Sequence, residues 1–256
     1  MIECSVDGHV AHVILNNPSA NTFTATGLVE LAHAMRELNA DMEVYAVVVT
    51  GHGDKFFSAG ADLKSFADGN KAEARRMIQL FGAAFEALQE SRPVIIAAIN
   101  GYAMGGGLEC ALACDLRIAE EHAQMALPET SVGLLPCGTG TQTLPWLVGE
   151  GWAKRMILTN ERVDAGTALR IALVEQVVAR GQARQAAVGI AQRTCSLSPR
   201  AVEYSKQLIH LARQGTPRAA ALATERERFI DLFDGADQRE GAQAFFEKRK
   251  PVWKNA

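Results

Sequence analysis

Two segments of small residues carry the strongest chemical signals in this sequence, and three consecutive glycines form the first. Residues 105–107 (GGG) follow a predicted buried strand and open an apolar helix. Glycine lets a ligand approach the backbone, and the free N–H groups and dipole of a helix N-terminus favour negative charge. The segment therefore indicates an anion site. Close packing of the two elements would also explain the glycines.

The second segment, residues 56–63 (FFSAGADL), comes directly after another predicted buried strand at 45–50. Loops that follow neighbouring parallel strands lie at the same edge of a sheet. If the two segments converge, one N–H group from each could hold a single oxygen atom. Such an oxyanion hole stabilises an enolate or a tetrahedral intermediate. By itself, the segment would also suit a simple turn.

Two glutamates stand in apolar surroundings, where acids usually have partners or roles. Glu109 lies in LECAL and Glu129, twenty residues further on, in ALPE. Two carboxyl groups that share an apolar pocket titrate at different pH, so that one can act as a base and the other as an acid. The alternative is helix capping, because both glutamates lie near predicted helix starts and Pro128 is a favoured opening residue.

The motifs together resemble a known family. Residues 57–63 (FSAGADL) and 100–109 (NGYAMGGGLE) resemble the two signature segments of the enoyl-CoA hydratase/isomerase (crotonase) family. Further similar segments occur in the same order at 114–119 (CDLRIA), 128–129 (PE), 140–142 (GTQ) and 246–251 (FEKRKP). Several ordered motifs are more specific than any single one, and they cover nearly the whole chain.

This resemblance implies an α/β fold, a crotonase-like spiral of repeated ββα units with an appended C-terminal helical region. Residues 1–195 would form the core that binds the CoA thioester and carries out catalysis. Residues 196–256 would mediate assembly, usually into a homotrimer or homohexamer. The family pattern places the oxyanion hole at the N–H groups of Ala59 and Gly106 and expects Lys248 to approach the CoA of a neighbouring subunit. The residues expected along the bound CoA are Ala59, Gly60, Ala61, Asp62 and Leu63.

The acids decide which reaction of the family is expected. Hydratases that resemble this chain carry two glutamates twenty residues apart, whereas many isomerases keep only an acid near the second position. We therefore expect a 2-enoyl-CoA hydratase, in which Glu109 deprotonates the water that attacks C3 and Glu129 delivers a proton to C2. No metal is expected, and CoA enters as part of the substrate rather than as a cofactor.

Two other functions remain open. In a 3-enoyl-CoA to 2-enoyl-CoA isomerase, Glu129 would shuttle the proton and Glu109 would be a bystander. In a binding protein with an RNA side role, a basic surface stripe would be expected, but the pI is about 6.1 and basic residues are scattered. Fatty-acid β-oxidation is only the commonest setting, and the length of the acyl chain is left undetermined.

One segment departs from the family pattern. Where relatives often have a glycine-rich PGxGGTQ stretch, residues 136–142 read PCGTGTQ, with Cys137 in place of a glycine. Cys137 could narrow the acyl pocket, or alter a backbone N–H that helps to place the water if glycine's conformational freedom is needed there. No histidine adjoins Cys137 in sequence, so the pattern does not favour a catalytic thiol.

The elements that must position these residues alternate between strands and helices, which indicates a mainly parallel sheet with crossovers. Strands at 2–6 and 10–15 are predicted to form a hairpin. Helices are predicted at 24–39 and at about 72–89, and a third helix is predicted to begin in the glycine segment and to end at residue 113. The remaining predicted strands are 45–50, 94–99, 116–119 and 174–178. Residues 194–199 are predicted to form a connection. Beyond it, the chain is predicted to be helical with short breaks as far as Lys250, with apolar positions such as Phe245 and Phe246 that need a partner surface.

Composition supports a globular protein outside the membrane. The chain is 48% hydrophobic and 21% charged, with a net charge of −3, close to the globular norm. No apolar run is long enough to span a bilayer, and the N-terminal residues resemble neither a signal segment nor an Arg-rich presequence. The five cysteines form no CxxC pair and favour a reducing compartment. A cytoplasmic location without nucleic-acid or membrane partners is therefore expected.

Overall fold

A computed structural model describes residues 1–255, which form two β-sheets and nine α-helices. The strands are β1 (Ile2–Asp7), β2 (Val10–Leu15), β3 (Ala46–Gly51), β4 (Phe56–Ser58), β5 (Val94–Ile99), β6 (Tyr102–Met104), β7 (Leu116–Glu120), β8 (Gln124–Ala126), β9 (Val163–Asp164) and β10 (Gln176–Val178). The helices are α1 (Ala25–Ala40), α2 (Lys71–Gln89), α3 (Gly106–Ala113), α4 (Gly140–Leu158), α5 (Ala165–Arg170), α6 (Ala183–Cys195), α7 (Pro199–Arg213), α8 (Arg218–Asp231) and α9 (Ala236–Glu247).

The two sheets alternate along the chain. The larger has the order β1-β2-β3-β5-β7-β10, antiparallel between β1 and β2 and parallel elsewhere. The smaller has the order β4-β6-β8-β9, antiparallel only between β8 and β9. Each of the units β3-β4-α2, β5-β6-α3 and β7-β8-α4 therefore contains one strand from each sheet followed by a helix. This repetition confirms the predicted spiral of ββα units.

Local signals account for the elements that were predicted. Gly8 and His9 form the turn of the β1–β2 hairpin, between the paired residues Asp7 and Val10, and Gly8 has a φ of 57°. Thr24 caps α1, since its side chain accepts a hydrogen bond from the N–H of Gly27 at 3.1 Å. The apolar face of α1 is buried as its spacing predicts, with Leu28 and Met35 wholly inaccessible.

Two of the passages from the larger to the smaller sheet, β3 to β4 and β5 to β6, are tight, and glycine makes them possible. At Gly51 a Cβ atom would collide with the carbonyl oxygen of Phe56, and at Gly101 with that of Lys55. The buried side chain of Asn100 fixes one passage by donating to the carbonyl oxygens of Gly51 at 2.9 Å and Gly53 at 2.8 Å. The loops that follow β3 and β5 are thereby held side by side.

Several elements were not predicted from the residues themselves. The strands of the smaller sheet contain two or three residues each, too few for an alternating pattern to be recognised. Helix α4 is two helical pieces joined at a kink, where Gly149 has a φ of 77° and Pro145 lies inside the first piece. Both residues interrupt the helical periodicity on which such a prediction depends.

The C-terminal helices α7 to α9 follow the core. Helix α7 lies against the larger sheet, because the buried ammonium group of Lys206 pairs with Asp115 at 2.7 Å and donates to the Pro93 carbonyl oxygen at 2.8 Å. At the end of α9, Phe245 and Phe246 are 80% and 81% exposed. Within residues 1–255, no helix combines the length and the apolar character needed to cross a bilayer.

Candidate active site

A cavity of about 920 Å³ opens where the loop after β4, the start of α3 and residues 128–137 meet. Its wall includes most of the residues predicted from the sequence, namely Ala59, Ala61, Asp62, Leu63, Gly106, Glu109, Glu129 and Cys137. Lys248 is not part of this wall and lies at the C-terminal cap of α9 in a left-handed conformation. The structure therefore brings the two small-residue segments and both glutamates together within one chain.

The loop 58–62 is held by hydrogen bonds to residues 20–23. The buried hydroxyl of Ser58 donates to the Asn21 carbonyl oxygen at 2.7 Å and accepts from the N–H of Gly60 at 3.1 Å. The N–H of Ala59 donates to the Ala20 carbonyl oxygen at 2.9 Å. The prediction that Ala59 supplies a free N–H to an oxyanion hole is therefore wrong, because this donor is already used inside the fold.

The next suitable donor in this loop is Ala61. The amide of Phe23 donates to the Gly60 carbonyl oxygen and that of Asp62 to the Phe23 carbonyl oxygen, at 2.8 and 3.2 Å. Successive peptide groups of an extended chain point in opposite directions, so the N–H of Ala61 faces away from residues 20–23. Within residues 1–255 it has no acceptor. Ala61 lies on the cavity wall.

The second free amide, that of Gly106, lies beside this loop. Gly60 has a φ of 88°, and a Cβ atom there would lie 2.7 Å from the Met104 carbonyl oxygen and 2.9 Å from the Gly106 nitrogen. Gly106 is the first residue of α3, so its N–H has no partner within the helix. Two unpaired amides, from Ala61 and Gly106, are thus available at the cavity, and the dipole of α3 favours negative charge there.

Glu109 is almost completely buried, with 2% of its surface accessible. Its Oε1 atom accepts hydrogen bonds from three successive amides, those of Gly138, Thr139 and Gly140, at 2.8, 3.0 and 2.8 Å. These amides precede or begin α4, so Glu109 does cap a helix, although not its own. Three N–H donors on one oxygen stabilise a negative charge there. Oε2 makes no hydrogen bond within the described residues and is therefore available to accept a proton from a bound molecule.

Glycine is required for this arrangement at two positions. A Cβ atom on Gly138 would lie 2.7 Å from the ring of Phe85 and 3.0 Å from Oε2 of Glu109. One on Gly140 would lie 3.0 Å from Oε1 of Glu109. A side chain at either position would force its neighbours, the carboxylate of Glu109 among them, to shift. The order Gly-x-Gly directly before a helix was the sequence signal for this anchor, but its partner lies thirty residues away.

Glu129 is held differently from Glu109. It begins a short 3-10 turn, Glu129–Val132, and its Oε1 lies close to Gly105, where a Cβ atom would be only 2.9 Å away. Its Oε2 is buried without a hydrogen-bond partner among the described residues. Burial, and to a lesser extent the charge of Glu109, raises the pKa of the Glu129 carboxyl from 4.5 to about 7. The site therefore offers one carboxyl group anchored by three amides and a second, that of Glu129, which readily holds a proton near neutral pH.

Cys137 lies on the same wall, immediately before the amides that hold Glu109. Its φ is not in the left-handed region, so this position does not need glycine's conformational freedom, contrary to one of the two expectations for it. The surrounding protein, followed by the charges of Glu109 and Glu129, raises the pKa of the thiol to about 11. A thiol with this pKa is almost wholly protonated at neutral pH, which disfavours it as a nucleophile.

The rest of the cavity wall is mainly apolar. It is formed by Leu63, Phe66, Ile78, Phe81, Val132, Leu134 and Leu135. Behind it, the rings of Phe23, Phe81 and Phe85 pack edge to face, with centroids 5.5 to 5.8 Å apart. Such a wall suits a hydrocarbon chain, with the polar groups confined to the end near the glutamates.

Comparison with known proteins agrees with this arrangement. The model of the enoyl-CoA hydratase/isomerase family matches residues 5–256. The chain is 41% identical, over 95% of its length and 94% of the relative's, to a protein of Clostridium acetobutylicum named short-chain-enoyl-CoA hydratase. A solved structure of Pseudomonas aeruginosa DspI is 61% identical with a TM-score of 0.96, covering 99% of this chain and 96% of that one. An enoyl-CoA hydratase structure from Bacillus anthracis is 36% identical, also with a TM-score of 0.96, covering 100% and 99%.

The chain therefore belongs to the enoyl-CoA hydratase/isomerase family. The family and the crotonase fold that the sequence motifs predicted are both confirmed.

Proposed function

We propose that this protein is a 2-enoyl-CoA hydratase, which reversibly adds water to a 2-enoyl-CoA and gives a 3-hydroxyacyl-CoA. The observation that carries this proposal is the pairing of two unlike glutamates on one cavity. Glu109 is anchored by three amides, while the pKa of Glu129 is raised to about 7. The name of the Clostridium acetobutylicum relative supports the same activity.

The thioester oxygen of the substrate would accept hydrogen bonds from the N–H groups of Ala61 and Gly106. Attack of water at C3 moves electrons through C2 onto this oxygen, and the resulting negative charge is the main barrier. Fixed donors stabilise that charge, and loss of one such donor costs roughly 3 kcal/mol in a well-studied protease. The acyl chain would lie along the apolar wall, and the CoA would run along residues 59–63.

The two glutamates supply the proton transfers. As the water oxygen bonds to C3, Glu109 takes one of its protons on Oε2, and the C2–C3 π electrons form an enolate. Glu129 then delivers its proton to C2 as the enolate collapses to the thioester. The gain and loss of protons balance, and exchange with solvent restores both acids. In dehydration, the same groups act in reverse.

Replacing Glu109 by Gln tests this assignment. A glutamine oxygen can still accept the three amide hydrogen bonds, so we expect the variant to fold. Because it cannot take a proton from water, hydration of crotonyl-CoA should slow by at least about 100-fold. The measurement is the loss of absorbance of the conjugated thioester, with Glu121→Gln, on an exposed turn, as the matched control.

The isomerase alternative predicts a different result in the same experiment. Two results together would favour the isomerase. The parent protein would hydrate no 2-enoyl-CoA, and the Glu109→Gln variant would convert a 3-enoyl-CoA to a 2-enoyl-CoA at the parent rate. Hydration of crotonyl-CoA by this variant at the parent rate would contradict the role of Glu109.

We also propose that the protein assembles through its C-terminal helices into a homotrimer or homohexamer. The exposed rings of Phe245 and Phe246 support an interface at this end of the chain. Lys248 is not on the cavity of its own chain, which agrees with a role at the CoA of a neighbouring subunit.

The five cysteines are all free thiols, which supports a reducing, cytoplasmic location.

A further inference from the structure

Three glycines surround the two carboxyl groups, and none has room for a methyl group. A Cβ atom on Gly105 would lie 2.9 Å from Oε1 of Glu129. On Gly138 or Gly140, a Cβ atom would lie 3.0 Å from an oxygen of Glu109. At these positions the protein has no freedom to vary the side chain without displacing a carboxyl group.

Cys137 is different, because it brings a side chain into the same region without displacing anything. Its side chain is exposed on the cavity wall, and the next residue, Gly138, donates its N–H to Glu109 at 2.8 Å. Its backbone is not in the left-handed region, so glycine, alanine, serine and cysteine are all compatible with the chain path. The size of this side chain can therefore change the cavity while the anchor of Glu109 stays in place.

In the proposed hydratase, on which this inference rests, the position of C3 follows from the two acids. Water held by Oε2 of Glu109 must reach C3, while Glu129 must reach C2. The atoms bonded to C3 then lie beside the backbone that anchors Glu109, where Cys137 projects into the cavity. A hydrogen on C3 needs little space there, whereas a methyl group in its place meets the thiol.

We propose that Cys137 is a specificity-determining residue, which restricts the protein to 2-enoyl thioesters that carry a hydrogen on C3. Thioesters branched at C3, such as 3-methylbut-2-enoyl-CoA, are excluded by the volume of its side chain. The class of substrate is thus one in which C3 bears a single carbon chain.

The test compares two substrates on each variant. One methylene group in an apolar pocket changes kcat/KM by roughly 10- to 200-fold. In Cys137→Gly, the ratio of kcat/KM for 3-methylbut-2-enoyl-CoA to that for crotonyl-CoA should therefore rise by at least about 10-fold. In Cys137→Ser, which is close to cysteine in size, the ratio should stay at the parent value. Because the ratio is taken on one protein sample, a lower folded fraction cancels.

The control is Cys4→Ser, which removes an exposed thiol on β1 and should leave both rates at the parent values. An unchanged ratio in Cys137→Gly would overturn the proposal. A ratio that rises equally in the serine and glycine variants would also overturn it, because it would assign the effect to the thiol group instead of its volume. If the parent hydrates neither substrate, the proposed function fails, and this outcome is distinct from an unchanged ratio in an active protein.

Discussion

Replacing Glu129 by Gln should stabilise the protein at alkaline pH while removing a group that we propose for catalysis. Burial raises the pKa of this carboxyl from 4.5 to about 7. The folded state then holds the proton more tightly than the unfolded state, so stability falls as the pH rises from 4.5 to about 7. At pH 8 the ionised carboxyl costs about 3 kcal/mol, and at pH 5 less than about 1 kcal/mol. Glutamine is uncharged at both pH values and avoids this cost.

Urea unfolding at pH 5 and pH 8 measures this effect. Parent and variant are compared at one protein concentration, because association would otherwise contribute to stability. The free energy of unfolding of Glu129→Gln, relative to the parent, should increase by about 2 to 3 kcal/mol between the two pH values. Glu121→Gln, at an exposed turn, should show no such increase. An equal difference at both pH values would refute the reasoning, because the Glu129 carboxyl would then be no less solvated in the folded state than in the unfolded chain.

Two further predictions concern rates and packing. Since hydration requires protonated Glu129, its kcat/KM should fall about tenfold per pH unit above about pH 7. The kcat/KM of dehydration should fall in parallel, because no proton is gained or lost in the overall reaction and its equilibrium constant therefore does not depend on pH. A kcat/KM of hydration that stays constant between about pH 7 and about pH 9 would contradict the assignment. Gly138→Ala places a Cβ atom 2.7 Å from the ring of Phe85, so we expect a loss of about 1 to 3 kcal/mol in urea unfolding and slower hydration as the amide leaves Glu109. The control is Gly189→Ala on α6, where a Cβ atom would meet no other atom, so that this change should be neutral or slightly stabilising. A Gly138→Ala variant as stable as the parent would be evidence against tight packing around Gly138.

Much of the larger sheet and its helices could be predicted from the sequence, because these elements are long enough to show a period. The strands Ala46–Gly51 and Val94–Ile99 are apolar runs between glycine-rich loops, and Ala25–Ala40 has one continuous apolar face. The smaller sheet could not be read in this way. Its strands, such as Phe56–Ser58, are stable only because each pairs with another strand that lies far along the chain.

The sequence by itself determined the family and pointed to the two glutamates that lie on the cavity wall, because these inferences depend on residue types and on their order along the chain. It did not determine which amide of the loop 58–62 is free. The Ala20 carbonyl oxygen accepts the N–H of Ala59. Phe23 forms hydrogen bonds with the residues on either side of Ala61, so that the N–H of Ala61 points away from Phe23 and stays free. The difference between Glu109 and Glu129 was also decided by the tertiary structure, because amide donors and burial come from residues distant in sequence. A motif fixes which groups are present, whereas hydrogen bonding and solvation depend on the neighbours that only folding supplies.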